Sequence, residues 1–404
     1  MKWLCTIVVW LWSVSSAQAT VLAGIDVLER QGFDILQGKR VGLLTNHTGR
    51  SCDGRSTIDI LHGAPGVTLA ALFSPEHGIR GEADEKLASG IDRRTGLKLH
   101  SLYGSSCTPT ADMLRGIDVL VFDIQDIGTR FYTYIGTLSL AMQAARHAGI
   151  PFVVLDRPNP IGGDVVAGAI PVSQPAEGKN GCGALTSIHP IPTRHGMTVG
   201  ELARLFNAEF GIGCSLTVIP MQGWRRDMPF ASTGFSWINP SPNMKSATAA
   251  LLYPGFGILE TTSLSVGRGT ERPFEMYGAP WLDAQAVIRN LVARHIPGIR
   301  FSACRFVPTA PGHSYRGTVC NGVCVTEVDP RRLDPVTAGL HLVQAIYQSH
   351  PARFRAYQGF ATEVGDRDTW ELLTRKGKRP AEVAGRWEQG LARFRAMRAG
   401  YLLY

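Results

Sequence analysis

Val67-Thr-Leu-Ala-Ala-Leu-Phe-Ser-Pro-Glu-His-Gly-Ile-Arg-Gly81 decides the fold. Val67 to Phe73 is a short apolar run of the kind that forms a strand buried on both faces. It stops at Ser74-Pro75. Glu76, His77 and Arg80 then arrive within five positions, beside glycines that let the backbone turn sharply. Open α/β sheets present their functional groups in this way, at the carboxyl ends of their strands. Working outward, the pattern recurs. Arg40 to Thr45 ends in Asn46-His-Thr-Gly49, Ile117 to Ile124 ends in Gln125-Asp126, and Pro151 to Leu155 ends in Asp156-Arg-Pro-Asn159. Helical patterns at Ser56 to Leu61, Thr110 to Leu114 and Ile135 to His147 separate these runs. Short apolar strands alternating with helices predict an α/β fold, with a parallel sheet covered on both faces.

Beyond Gly163 the texture changes. Residues 172–191 carry Gly, Ser and Pro without periodicity and read as an excursion loop. Thr198-Val-Gly-Glu201 is a capping box that opens a helix. Trp237-Ile-Asn-Pro-Ser-Pro-Asn243 is too proline-rich to be helical and is expected to connect two domains. The expected organisation is 1–19, a leader; 20–243, the domain of the parallel sheet; and 244–404, a second domain of mixed strands and helices ending in an amphipathic helix from Trp387.

The leader follows from Lys2, the apolar stretch Trp3 to Val14 and the Ala17-Gln-Ala19 cleavage pattern. It predicts export to the periplasm or the medium, and no other segment is apolar for long enough to imply stable membrane insertion. The net charge is +8, but no lysine/arginine run or basic stripe with interleaved aromatics accompanies it, so nucleic acid is not an expected partner. Seven cysteines follow the leader. Some can pair in an exported protein, and the odd number leaves at least one thiol. No Gly-x-Gly-x-x-Gly follows a strand and no Walker A loop occurs, so no nucleotide cofactor is implied. Clustered metal-ligand motifs such as His-Glu-x-x-His are missing, and no metal is expected.

The residues at the strand ends include the groups that glycoside hydrolysis requires. A glycosidase needs a carboxylic acid that protonates the leaving oxygen, and Glu76 is the foremost candidate, with His77 beside it. Asp123, Asp126 and Glu260 are candidate second carboxylates, Asp123 being ranked with the catalytic pair. Tyr132 and Tyr134 offer flat faces and hydroxyls. Asn46, Gln125, Asn159, His195, Asn239 and Asn243 offer hydrogen bonds to a polyhydroxylated ligand. Arg80, Arg130 and Arg268 are candidate cations, Arg268 lying between glycines whose N–H groups can also face an anion. For Asp126 and Arg130 a mutual helix-capping pair is the alternative, and for His195 a loop contact.

Together these stretches resemble the bacterial exo-β-N-acetylmuramidases. The resemblance is carried by Gly38 to Asn46, Phe73 to Gly81, Asp123 to Tyr134 and Leu155 to Pro160. It continues through Arg194 to Thr198, Pro240 to Met244, Ser265 to Thr270 and Tyr401 to Tyr404, in order along nearly the whole chain after the leader. It implies a Rossmann-like N-terminal catalytic domain, 20–243, joined to a smaller C-terminal α/β domain, 244–404, with the active site in the cleft between them. It also implies release of β-1,4-linked N-acetylmuramic acid from the non-reducing ends of peptidoglycan fragments, with the family's glutamate falling on Glu76. Residues 172–191 and Gln143 depart from the family pattern. The muramic sugar carries a lactyl carboxylate, which one of the three arginines is expected to meet. The partner of Glu76 is one of the second carboxylates or the substrate's own acetamido oxygen. Two other functions fit the same residues: a wall-binding protein without activity, and an exported esterase or amidase acting on wall material.

Overall fold

The computed structural model describes residues 21–79, 89–172, 182 and 185–404. The expected leader, Arg80 and the middle of the excursion loop lie outside the described residues. The larger sheet contains β1 (Arg40–Thr45), β2 (Thr68–Ser74), β3 (Gly90–Ile91), β4 (Lys98–Ser101), β5 (Val119–Asp123), β6 (Phe152–Leu155) and β7 (Leu216–Ile219). Its order is β3-β4-β2-β1-β5-β6-β7, parallel throughout except at the β3 edge. The four apolar runs are the four central strands.

Alternate residues of these strands serve two cores, as the period of two requires. Val119 and Val121 pack with α1 (Gly24–Arg30) and α2 (Thr57–His62) on one face. Leu120 and Phe122 pack with α3 (Thr133–Ala148) and α4 (Val199–Glu209) on the other. Thr198 and Glu201 form the expected capping box at the start of α4. The helix expected at Thr110–Leu114 is a succession of turns, because one apolar face of five residues is too short to repay helix nucleation.

After the non-helical segment 237–245 come α5 (Ala247–Phe256), β8 (Met276–Ala279), α6 (Ala284–Val292), β9 (Ile299–Phe306), β10 (Cys320–Val328) and α7 (Pro335–Ser349). The small helices α8 (Gly359–Val364), α9 (Thr369–Thr374) and α10 (Pro380–Gly385) lead to α11 (Glu388–Ala399). The three strands make an antiparallel sheet in the order β8-β10-β9, and Cys304–Cys324 bridges its β9–β10 pair. Helices α5 and α7 cross through Gly255 and Gly339: a Cβ on either would lie within 2 Å of a backbone oxygen on the other helix. The α3 side of the large sheet and the second domain share one continuous apolar core. No helix among the described residues is long and apolar enough to cross a membrane.

Candidate active site

Parallel register fixes where the strand ends meet. Leu44 lies beside Phe73 and Thr45 beside Asp123, so the residues that follow emerge together at one sheet edge. Beyond β2 the chain turns tightly, with Gly78 N–H bonded to the Pro75 carbonyl at 3.1 Å. His77, third in the turn, has φ 68°, while Glu76 before it is not left-handed; this is the arrangement of a type II turn. A glycine is the usual occupant of that third position.

The turn presents Glu76, half-buried, to the first residue of α3. Thr133 Oγ1 donates to Glu76 Oε2 at 2.6 Å, and Oε1 has no hydrogen bond among the described residues. One oxygen is therefore fixed and the other available, as an acid/base group needs. Tyr132 and Tyr134 flank Thr133 and feel the Glu76 charge; burial pushes both hydroxyls well up, which keeps them protonated. The Tyr134 hydroxyl accepts from Asn46 Nδ2 at 3.1 Å and donates to the Pro240 carbonyl. The Tyr132 hydroxyl faces Ser241 without a well-formed bond, and its ring packs edge-on against Tyr253 of α5 at 6.0 Å. Glu76 thus stands where the two domains meet.

The three candidate second carboxylates have different surroundings. Asp123, fully buried, holds Arg157 through both oxygens, at 2.8 Å for the Oδ2–Nη2 contact, and accepts from Thr57. Glu260 clamps the Arg268 guanidinium in the same two-pronged way, with His313 at 3.6 Å. Asp126 accepts from the Gly128 N–H through Oδ2, but Oδ1 is buried with no hydrogen bond among the described residues, and burial pushes this carboxyl up to about 7.

The cations do not form one group. Arg130 is buried and reaches carbonyls of the second domain, those of Thr362 (3.3 Å) and Glu363 (2.5 Å) at the end of α8. It neither pairs with Asp126 nor opens onto the Glu76 turn. Arg268 lies over the Phe274 ring at 5.0 Å. The N–H of Gly269 is taken by Asn243 Oδ1 at 2.8 Å and that of Gly267 by Ser265 at 3.2 Å, so these two amides are not open to an anion.

Several expected ligand groups are bound to the protein itself. Asn46 Oδ1 accepts from the Thr48 N–H, and Gln125 donates to the carbonyls of Asp126 and Pro158. Asn159 bridges Met197 and Ile161. His195 is fully buried, accepts from the Met197 N–H at 3.2 Å, and is driven down to about 3 by burial and by Arg398 and Arg194. Asn239 is exposed, and its carbonyl meets His47 Nε2 at 2.7 Å. Among the described residues no group of acidic, histidine or cysteine side chains is spaced to hold a metal ion.

Sequence reasoning missed Thr133, Tyr253 and Glu363. Thr133 lies inside a quoted motif, and its place at the first turn of a helix was the available signal. Glu363, whose carboxyl burial pushes up to about 8 near Glu260, sits in an α8 segment with no motif.

The family sequence models named for the N- and C-terminal domains of exo-β-N-acetylmuramidase NamZ match residues 41–248 and 251–404. The chain belongs to the NamZ family. It is 41% identical over 387 residues to peptidoglycan β-N-acetylmuramidase NamZ of Bacillus subtilis (strain 168), an alignment covering 95% of this chain and 91% of that protein. Two crystal structures of DUF1343-family proteins from Bacteroides fragilis share the fold. One superposes with a TM-score of 0.84 at 38% identity, over 95% of this chain and 99% of the other. The second gives 0.74 at 31%, over 96% and 99%.

Proposed function

We propose that this NamZ-family chain is an exo-acting glycoside hydrolase that releases β-1,4-linked N-acetylmuramic acid from the non-reducing ends of peptidoglycan fragments. The observation that carries the catalytic assignment is the Glu76 carboxyl, held on one side by Thr133 and available on the other. It protonates the glycosidic oxygen as the bond to the leaving sugar lengthens, and afterwards takes a proton from the attacking water. His77 shapes the turn that aims it. Asp123, buried, and Glu260, partly exposed, are each held by an arginine and serve as struts. The partner of Glu76 is then Asp126 or the substrate's acetamido oxygen. Short muropeptides containing N-acetylmuramic acid linked to N-acetylglucosamine are the proposed substrates. Export is the proposed location: the leader-like residues 1–19 and the two disulfides, Cys107–Cys182 and Cys304–Cys324, suit an oxidising compartment.

An aryl β-N-acetylmuraminide and the disaccharide test the reading directly. Release of N-acetylmuramic acid is expected, and Glu76→Gln is expected to reduce kcat on the order of 10²-fold or more. Full activity in that variant would remove Glu76 from the mechanism. Retention of muropeptides without cleavage by the wild-type protein would make it a binding protein, and release of acetate or peptide would make it an esterase or amidase.

A further inference from the structure

In the large sheet the chain moves outward from β1 to β2 and β4, then returns across β1 to β5, β6 and β7. The switch point is therefore between β1 and β5, one strand away from Glu76, and open α/β sheets bind ligands outside the carboxyl ends of strands there. A cavity of about 180 Å³ occupies that place, between the loop 48–54 and the segment 230–238. Nothing in the catalytic reading uses it.

Its lining combines an aromatic wall with a guanidinium that no carboxylate holds among the described residues. Trp237 is fixed: its indole N–H donates to the Met244 carbonyl at 3.2 Å, and Phe230 packs edge-on at 5.3 Å. Of the ionic groups around the cavity, Arg157 pairs with Asp123, and Asp53 pairs with Arg55, which also holds Glu29. Arg50 is held only by carbonyls, those of His47 (3.0 Å) and Gly54 (2.9 Å), with no carboxylate at ion-pair distance among the described residues. A rigid aromatic side chain beside a placed guanidinium without a carboxylate partner suits a sugar ring that bears a carboxylate.

The same wall runs from this cavity to Glu76. Trp237 and Ile238 line the cavity, the Asn239 carbonyl meets His47, the Pro240 carbonyl meets Tyr134, and Ser241 faces Tyr132, which lies within the field of Glu76. Four residues of extended chain span at most about 14 Å. The glycan alternates its two sugars, so a second muramic residue follows the terminal one after a single intervening ring. We infer that the switch-point cavity is a distal subsite for that second N-acetylmuramic acid, its ring on Trp237 and its unsubstituted lactyl carboxylate on Arg50. The inference rests on the proposed exo-muramidase activity for its orientation along the glycan.

The test compares the disaccharide with the tetrasaccharide that repeats it, both free of peptide. In Arg50→Met, and in Ser236→Trp, which fills the cavity from its exposed rim, the ratio of kcat/KM for tetrasaccharide over disaccharide is expected to fall about tenfold, the size of one charge-assisted contact. An unchanged ratio in both variants, with thermal melting showing them folded, overturns the subsite. Calorimetric titration of tetrasaccharide into Glu76→Gln protein, with and without Arg50→Met, gives a second readout: equal affinities also overturn it. If wild-type protein cleaves neither substrate, the proposed activity fails, while the titration still decides the subsite. If the ratio depends on Arg50 only when stem peptides are attached, the cavity takes peptide, and the sugar assignment fails.

Discussion

His77 occupies a backbone position that favours glycine. Its φ of 68° in the turn after β2 costs a non-glycine residue on the order of 1 kcal/mol. Strain of this kind persists where a side chain is wanted for chemistry or for aiming a neighbour. His77→Gly is expected to leave stability within about 1 kcal/mol of the parent, because relief in the folded turn is offset by greater freedom of the unfolded chain. Activity is nevertheless expected to fall at least about tenfold, since the imidazole is lost and the turn carrying Glu76 loosens; unchanged kinetics would make His77 a plain turn residue. Asp126 behaves differently. Its folded-state carboxyl is raised to about 7 from 3.8, so the folded protein holds a proton that the unfolded chain has lost between those values. Its contribution therefore favours the folded state least above pH 7, and stability is lost as pH rises through this window. Asp126→Asn keeps the hydrogen-bonding shape without the charge. It is expected to raise the melting temperature by about 2 °C or more at pH 8 relative to the parent, and by less at pH 5. Loss of turnover in the same variant would identify Asp126 as the partner of Glu76, and retained turnover would favour the acetamido group.

Helix α3 organises the site as an element. Its first turn carries Thr133 and Tyr134, and Leu185 lies so close across it that a Cβ on Gly136 would be 2.4 Å from the Leu185 oxygen. His189 holds Ser139 one turn further on, at 2.8 Å, so a strap from the excursion loop fixes the helix that fixes Glu76. Arg130, just before α3, fastens the same unit to the carbonyl end of α8, where a positive group also complements the helix dipole. Burial pushes its guanidinium down to about 10, which leaves it charged at neutral pH. Arg130→Met removes the charge and leaves two carbonyls without their donor. The expected loss is about 2–4 kcal/mol in urea unfolding, larger than its effect on KM for the disaccharide. A large rise in KM with unchanged stability would instead return Arg130 to the ligand. The sequence pattern placed Arg130 next to a strand end and so among the cations for a lactyl group. Only the packing of α8 shows where its side chain goes, because that contact joins residues more than two hundred positions apart.

The whole molecule is closed by long-range ties. Tyr404 sends its hydroxyl to Asp156, at the end of β6, at 2.7 Å, and the Leu403 N–H meets Glu201 of the α4 capping box at 2.9 Å. The motif Tyr401 to Tyr404 thus docks the last helix against the first domain. Cys107–Cys182 joins the segment after β4 to the strap over α3, closing a loop with a separation of 75 residues. In the chain-entropy view, such a closure stabilises by about 4 kcal/mol. Cys107→Ser with Cys182→Ser, or reduction of the parent, is expected to lower the unfolding midpoint without abolishing the fold, since both sheets have their own cores. An unchanged midpoint on reduction would show that the bridge adds nothing in solution. The sequence by itself determined the central strands, the helices α3 and α4, the terminal helix and the placement of Glu76 at a strand end. Those follow from hydrophobic periodicity and from turn and capping residues, which are local. It also carried the family resemblance, because the motifs stand in order along one chain. Tertiary structure alone decided which polar groups are already satisfied. Asp123, Asp126 and Glu260 all carry carboxylates, and they differ because Arg157 reaches the first from the loop after β6 and Arg268, further along the same stretch of chain, turns back onto the last. The thiol pairing and the aromatic cavity at the switch point were settled in the same way, by side chains from remote segments meeting in space.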